Sequence, residues 1–197
     1  MPIADERTVA LLFLDARTHR KWLDTVVDDA LLRRMYELAS WPPTSANSQP
    51  MRVVFLRTAE TRARLRPALS AGNVDQTMSA PVTAIVAHDS RFYEDMAKLA
   101  PHRPEIATQW AAMPEPARER LAFQGSTLQG AYLMLAARAL GLDCGPMGGF
   151  DRAKVDAEFF PNGRWKSNFL INLGYGDPST LRPRAPRLSF EEACRIE

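Results

Sequence analysis

The chain has 197 residues, enough to bury one sizeable core, and its 25 basic and 23 acidic side chains are interspersed, leaving a net charge of +2. That balance implies no broad electrostatic face for nucleic acid or an anionic membrane. Cys144 and Cys194 lack CxxC spacing, and Met1–Arg7 carries acids where a signal peptide would be basic, so the expectation is a reduced, cytoplasmic protein.

In chain order, Val9–Phe13 and Asp28–Ser40 read as helices, the second with Leu31, Leu32, Met35, Tyr36 and Leu38 near helical spacing. Met51–Leu56 reads as a strand, and Thr58–Leu69 as a helix with Thr58 as its cap. Val82–Ala87, a β-branched run after a proline, predicts a second strand, followed by a helix at Arg91–Leu99. The proline-rich span Pro101–Pro116 reads as a surface excursion. Between Leu121 and Leu142 the only charge is Arg138, which predicts a helix buried nearly all round and stopped by Gly141. Its small residues allow close backbone approach and favour a seam between two subunits. A glycine-rich loop at Gly145–Gly149, a helix at Asp151–Phe160, a strand at Asn168–Leu173 and a last helix opened by a Ser189–Glu192 capping box complete the pattern. Helices and strands alternate without internal repeats, so the class is α+β or α/β with a helix-covered sheet.

Chemistry concentrates in three places. Pro42–Pro50 is a proline-bounded loop whose Thr44, Ser45, Asn47 and Gln49 offer short hydroxyls and amides, although the same residues also make ordinary helix-to-strand connections. Gly145–Gly149 sets three glycines around Pro146 and Met147, and the tail Leu181–Arg187 carries three arginines. There is no GxSxG, HExxH, P-loop or GxGxxG, and His19, His88 and His102 lack ligand spacing, so neither a hydrolase nor a metal site is expected.

Together these segments resemble the flavin-dependent nitroreductase family. Its members carry an Arg-Ser-rich N-terminal segment, a Pro-Ser-Ser-x-Asn-x-Gln-Pro loop, a Gly-Pro-Met-Gly-Gly-Phe-type turn after a long buried helix, and a basic tail. Here these correspond to Arg17-Thr18-His19-Arg20, Pro43–Pro50, Gly145–Phe150, and Arg184 with Arg187. More narrowly, Asp15–His19, Trp41–Asn47, Gly145–Asp151 and Pro186–Ala193 resemble the malonic semialdehyde reductase branch.

The resemblance implies an α+β, three-layer α/β/α-like fold with a mixed, mainly antiparallel central sheet. It implies a single FMN-binding domain over 1–197, with an excursion around 100–116 and a C-terminal arm over 177–197. It also implies an intertwined homodimer with FMN at the interface. Arg17 and Arg20, with Arg184 or Arg187 from the tail, would hold the phosphate with Thr18, and Thr44, Ser45 and Asn47 would come from the partner. Asn73 and Gln76 would contact the ring, and Pro146, Met147, Gly148 and Gly149 would lie against it near N5. That atom carries the hydride in a ping-pong cycle with NADH or NADPH, so no protein group need act as catalyst. Malonic semialdehyde would become 3-hydroxypropionate, its carboxylate oriented by His19 or Arg20. A broad nitro or quinone reductase and a non-catalytic flavin-binding dimer are the alternatives. Ala16, His19 and Met51 depart from common family residues, which bears on the phosphate contacts and pocket shape rather than on the cofactor.

Overall fold

The alternating apolar patterns converge on one four-stranded sheet. The computed structural model describes residues 3–197, so Met1 and Pro2, at the head of the acidic N-terminal segment, lie outside it. Strands β1 (Met51–Leu56), β2 (Val82–Asp89), β3 (Asp143–Met147) and β4 (Trp165–Gly174) are ordered β1-β2-β4-β3, and every neighbouring pair is antiparallel. A single parallel bridge, Thr18 to Cys144, ties the N-terminal segment to the free edge of β3.

Nine α-helices are found among the described residues: α1 (Glu6–Val9), α2 (Asp29–Ala39), α3 (Ala59–Ala63), α4 (Ala71–Met78), α5 (Met96–Leu99), α6 (Ile106–Ala111), α7 (Glu115–Ala139), α8 (Arg152–Phe159) and α9 (Phe190–Ala193). Their ends follow the capping chemistry visible in the sequence. Thr58 and Thr61 form a capping box on α3, and Ser189 and Glu192 form one on α9. Gly141, at φ +82°, follows the last turn of α7 in the left-handed conformation that glycine adopts without strain.

Period-two alternation along β2 divides the core. Val82, Ala84 and Val86 face α2 and α7, meeting Leu32, Met35, Leu133, Ala136 and Ala137. Ile85 and Ala87 point the other way, into a cluster with Leu65, Leu170, Val155 and Phe160. The result is the three-layer α/β/α arrangement.

Several elements differ from the sequence pattern. The first helix, expected at Val9–Phe13, begins at Glu6 because Asp5 accepts a hydrogen bond from the Thr8 amide at 2.7 Å, and it widens into a π turn over Ala10–Leu14. The helix expected over Thr58–Leu69 stops at Ala63 and gives way to a 3₁₀ turn at Arg66–Ala68, since Pro67 has no N–H to donate. Helix α4 begins at Ala71-Gly72, a pair that the sequence alone reads as a turn. The Pro101–Pro116 excursion is partly helical: Ile106 packs with Met96 and Ala100 in a small satellite cluster, and Pro116 lies in the first turn of α7, where its missing N–H costs nothing.

Most informative is β3. Its glycines and proline read as a loop, yet Cys144, Gly145 and Pro146 register with Leu173, Asn172 and Ile171. Proline is admissible there because β3 is an edge strand, whose outer bridge to Thr18 is made at Cys144 rather than at Pro146. Helix α7 starts and ends earlier than Leu121–Leu142, and within one chain it is not buried all round. Ala122, Ser126, Gln129, Gly130, Leu133 and Ala137 face the sheet, whereas Phe123, Leu128 and Tyr132 face outward as exposed large apolar groups.

Candidate functional site

The N-terminal segment, the end of α7 and the C-terminal arm meet around a cavity of about 370 Å³ lined by Arg17, Arg20, Arg138, Arg182, Arg184 and Arg187, with Thr18 and Thr180. Guanidinium-to-carbonyl hydrogen bonds lace the three pieces together. Arg17 donates to the carbonyl of Arg182, Arg138 to that of Arg17, and Arg184 to those of Leu14 and Ala16. None of the six guanidinium groups makes an ion pair with a described carboxylate, and Arg20 makes no side-chain hydrogen bond among the described residues. Six like charges gathered around one cavity without an acid form a receptor for an anion with several oxygens.

Thr18 and Arg138 also border a second cavity of about 340 Å³, completed by Ala131, Met134 and Leu135 of α7 and Cys144 and Pro146 of β3. The two cavities adjoin at Thr18 and Arg138 and form a trough with one cationic part and one mostly apolar part. Cys144 lies on its floor, and burial pushes its thiol up to about 12, with Asp143 adding to the rise and Arg138 opposing it. The native protein should therefore release one equivalent in a thiol-labelling assay, from exposed Cys194, and a second only after denaturation. Rapid labelling of both native thiols would contradict the burial of Cys144.

Farther along β3, the glycine turn is fastened to α4. The Asn73 side-chain amide donates to the Gly149 carbonyl at 2.8 Å, and Gln76 donates to the Asn73 oxygen at 2.6 Å. A Cβ at Gly149 would lie 2.6 Å from that Asn73 nitrogen, so glycine is what lets the two approach. Met147 is buried against Thr77, whose hydroxyl lies 3.6 Å from the Met147 sulfur. Asn73, Gln76 and the Pro146–Gly149 segment are thus brought together.

His19 sits beneath the cationic cavity rather than in it. Only 5% exposed, it has Nε2 3.5 Å from Asp143 Oδ1, and a Cβ at Gly176 would lie 2.0 Å from its Nδ1. Its surroundings are a structural seat that joins the N-terminal segment to the end of β4.

Thr44, Ser45 and Asn47 do not line either cavity. Their loop precedes β1 beside the starts of β1 and β4, whereas Thr18 pairs beside the end of β4. From Lys166 to Leu173 along β4 is about 23 Å at strand rise. Within its own chain the loop is satisfied internally: Asn47 donates to the Leu99 carbonyl at 2.8 Å, Gln49 Nε2 donates to the Asn47 oxygen at 3.0 Å, and Thr44 accepts from the Gln49 amide at 3.1 Å. Ala46, Asn47 and Gln49 all have positive φ, at 47°, 58° and 41°, a concentration of left-handed non-glycine residues that usually marks a shaped functional loop.

Sequence reasoning missed Arg138 and Arg182. The first carried a signal, being the sole charge in an otherwise uncharged helical stretch, and the second was one of the three arginines in the noted tail.

A model described as the Nitroreductase family matches residues 14–175. The chain belongs to that family. A Ralstonia nicotianae protein provisionally named as an NADH dehydrogenase/NAD(P)H nitroreductase is 53% identical over 196 residues, covering 100% of both chains. A Burkholderia lata protein with the same provisional name is 56% identical over 186 residues, 94% of each. Among solved structures, a Bacillus subtilis member described provisionally as a nitroreductase superposes with a TM-score of 0.89 at 20% identity, over 98% of this chain and 100% of that one. An Exiguobacterium sibiricum protein of similar description, solved with FMN, gives 0.87 at 20% identity, over 100% and 99%. These likenesses establish the nitroreductase fold for the whole chain. No helix among the described residues is long and apolar enough to cross a membrane.

Proposed function

We propose that this chain is an FMN-dependent NAD(P)H oxidoreductase acting as a homodimer, with malonic semialdehyde as its physiological oxidant. The observation that carries this reading is the acid-free cluster of six arginines opening into an apolar trough, in a member of the Nitroreductase family. The residues fit a group with a polyanionic end and a flat apolar body. Arg17, Arg20, Arg184 and Arg187 would hold the phosphate with Arg138 and Arg182, and Thr18 would add a hydroxyl. Ala131, Met134, Leu135 and Pro146 would keep water from one side of the ring, with Met147, Gly148 and Gly149 set beside it by Asn73 and Gln76. When bound, FMN supplies a carrier that accepts a hydride from a nicotinamide and passes it to an oxidant. The protein's share is positioning and electrostatics.

The homodimer follows from two unpartnered features. One wall of the trough is α7, whose outward face exposes Phe123, Leu128 and Tyr132. A second copy seated there would roof the trough and bring in its own Thr44, Ser45 and Asn47 loop, which has no place in the trough of its own chain.

The choice of malonic semialdehyde rests on the branch motifs at Gly145–Asp151 and Pro186–Ala193. The names of the Ralstonia and Burkholderia relatives favour a second reading, a broader NAD(P)H nitro or quinone reductase. Purified protein should be a dimer by light scattering, show absorbance in the flavin bands, and bleach with NADH or NADPH. Malonic semialdehyde should then outcompete a nitroarene and a quinone in kcat/KM. A colourless protein that gains no chromophore with added FMN would sink the flavin reading, and faster turnover of the nitroarene or quinone would move the assignment to the broader reductase.

A further inference from the structure

Beyond the glycine turn, outside the residues that line the trough, lies another cation. Phe123, fifteen residues before Arg138 on α7, lies about 22 Å from it along the helix. There the Arg152 guanidinium lies between two aromatic rings, 5.9 Å from the centroid of Phe123 and 5.8 Å from that of Phe150. Its Nε and Nη2 both donate to the carbonyl of Asn168, at 3.2 and 3.0 Å. Asn168 is itself fixed, its amide donating to Ser126 Oγ at 2.9 Å and Thr127 Oγ1 at 2.7 Å on α7. Arg152 is thus held by α7, β4 and the glycine turn at once.

What it holds is unassigned. Two of its five N–H groups are used, and no described carboxylate pairs with it. The adjacent acid, Asp151, is engaged with Lys154, its Oδ1 accepting the Lys154 amide at 3.2 Å and its Oδ2 lying 3.9 Å from Nζ. Asp156 accepts the Ser167 amide at 2.8 Å. The remaining Nη1 donors of Arg152 lie three residues beyond Gly149, past the glycine turn on the side away from the six arginines. His19 and Arg20, the sequence-based candidates for orienting a substrate carboxylate, are instead beneath and within that distant cluster.

We infer that Arg152 is the specificity-determining residue that binds the carboxylate of an anionic oxidant beside the glycine turn. This rests on the proposed flavin site and deepens it, giving two cationic groups separate tasks: the arginine cluster takes the cofactor's phosphate, and Arg152 takes the substrate's charge. Its aromatic and carbonyl contacts fix the fork in place, so little side-chain freedom is lost when an anion binds.

The test uses a matched pair, 4-nitrobenzoate and nitrobenzene, with full-length flavin-loaded protein and NADH or NADPH as donor. The wild type should favour the carboxylated member, and Arg152→Gln should lower the ratio of the two kcat/KM values about tenfold, through KM of the carboxylated member rather than kcat. Arg152→Lys, which keeps the charge, should retain part of the ratio. Malonate should inhibit wild-type nitrobenzene reduction competitively, a measurement that stands even if a variant folds poorly. Equal loss on both substrates, or a wild type blind to the carboxylate and to malonate, overturns the inference while leaving the oxidoreductase reading intact. A flavin-loaded protein that reduces neither substrate takes both down.

Discussion

Replacing Arg20 and Arg184 together with glutamine is expected to lower affinity for FMN about a hundredfold, while affinity for riboflavin, which lacks the phosphate, changes by about threefold or less. A charge-assisted hydrogen bond is worth about 1.5–3 kcal/mol, or about tenfold to a hundredfold in binding, so two of them account for the effect. The two arginines are not equivalent. Arg184 also donates to the carbonyls of Leu14 and Ala16, and its loss loosens the C-terminal arm as well as removing a charge. Arg20 makes no side-chain hydrogen bond among the described residues, so Arg20→Gln alone, expected to cost about tenfold, reports the charge by itself. Flavin fluorescence titrations of both ligands decide the matter. Parallel losses for FMN and riboflavin would mean that the cluster maintains the arm rather than reading a phosphate. Raising ionic strength should weaken FMN binding to the wild type more than to the double variant, because screening acts on the charges that were removed.

The arginine cluster also illustrates what a one-dimensional reading reaches. Residues at Arg17–Arg20 and Arg184–Arg187 were paired only through the family resemblance, since each arginine alone reads as a surface charge. Their closure into one cavity depends on the Thr18–Cys144 bridge and on Arg138 reaching across to the Arg17 carbonyl. Neither contact leaves a local pattern. Strands β1 and β2 were legible for the opposite reason: Met51–Leu56 and Val82–Ala87 are β-branched or apolar runs set off by breakers. By contrast, β3 was hidden because its residues are chosen for what approaches them. A Cβ at Gly145 would lie 2.6 Å from the His19 carbonyl oxygen, so the strand sacrifices propensity for a close backbone approach. Helix α7 misled in another way. Its lack of charge was read as burial nearly all round, at a seam between subunits, whereas within a single chain Phe123, Leu128 and Tyr132 are turned outward. Arg152 carried no signal at all, since an arginine in the first turn of a helix is ordinary until the Phe123 and Phe150 rings are seen on either side of it.

Gly130→Leu is expected to lower thermal stability by about 3 kcal/mol, a fall of about 6–12 °C in Tm for a chain of this size. Gly130 is the point where α7 rests on the sheet. A Cβ there would lie 2.5 Å from Cζ and 2.8 Å from Cε1 of Phe169, with Val86 Cγ1 at 3.3 Å. Val86 belongs to the buried core cluster between the sheet and α7, and the half-buried Phe169 packs against it, so the ring can move only by giving up that packing. Relief otherwise comes only if the helix lifts. Gly72→Ala is the matched control: the site lies inside α4 with nothing within 4 Å of its built Cβ, so alanine should stabilise by about 0.5–1 kcal/mol through backbone entropy. Calorimetry on the two variants separates packing from propensity, and an unchanged Tm for Gly130→Leu would show that α7 has slack against β2 and β4. The same lift should also appear in ligand binding. Ala131, Met134 and Leu135 wall the trough from the turns beside and after Gly130, so raising the helix widens the apolar slot and weakens FMN binding without touching any arginine. Riboflavin affinity should fall in parallel, the reverse of the selective loss expected when the arginine charges are removed.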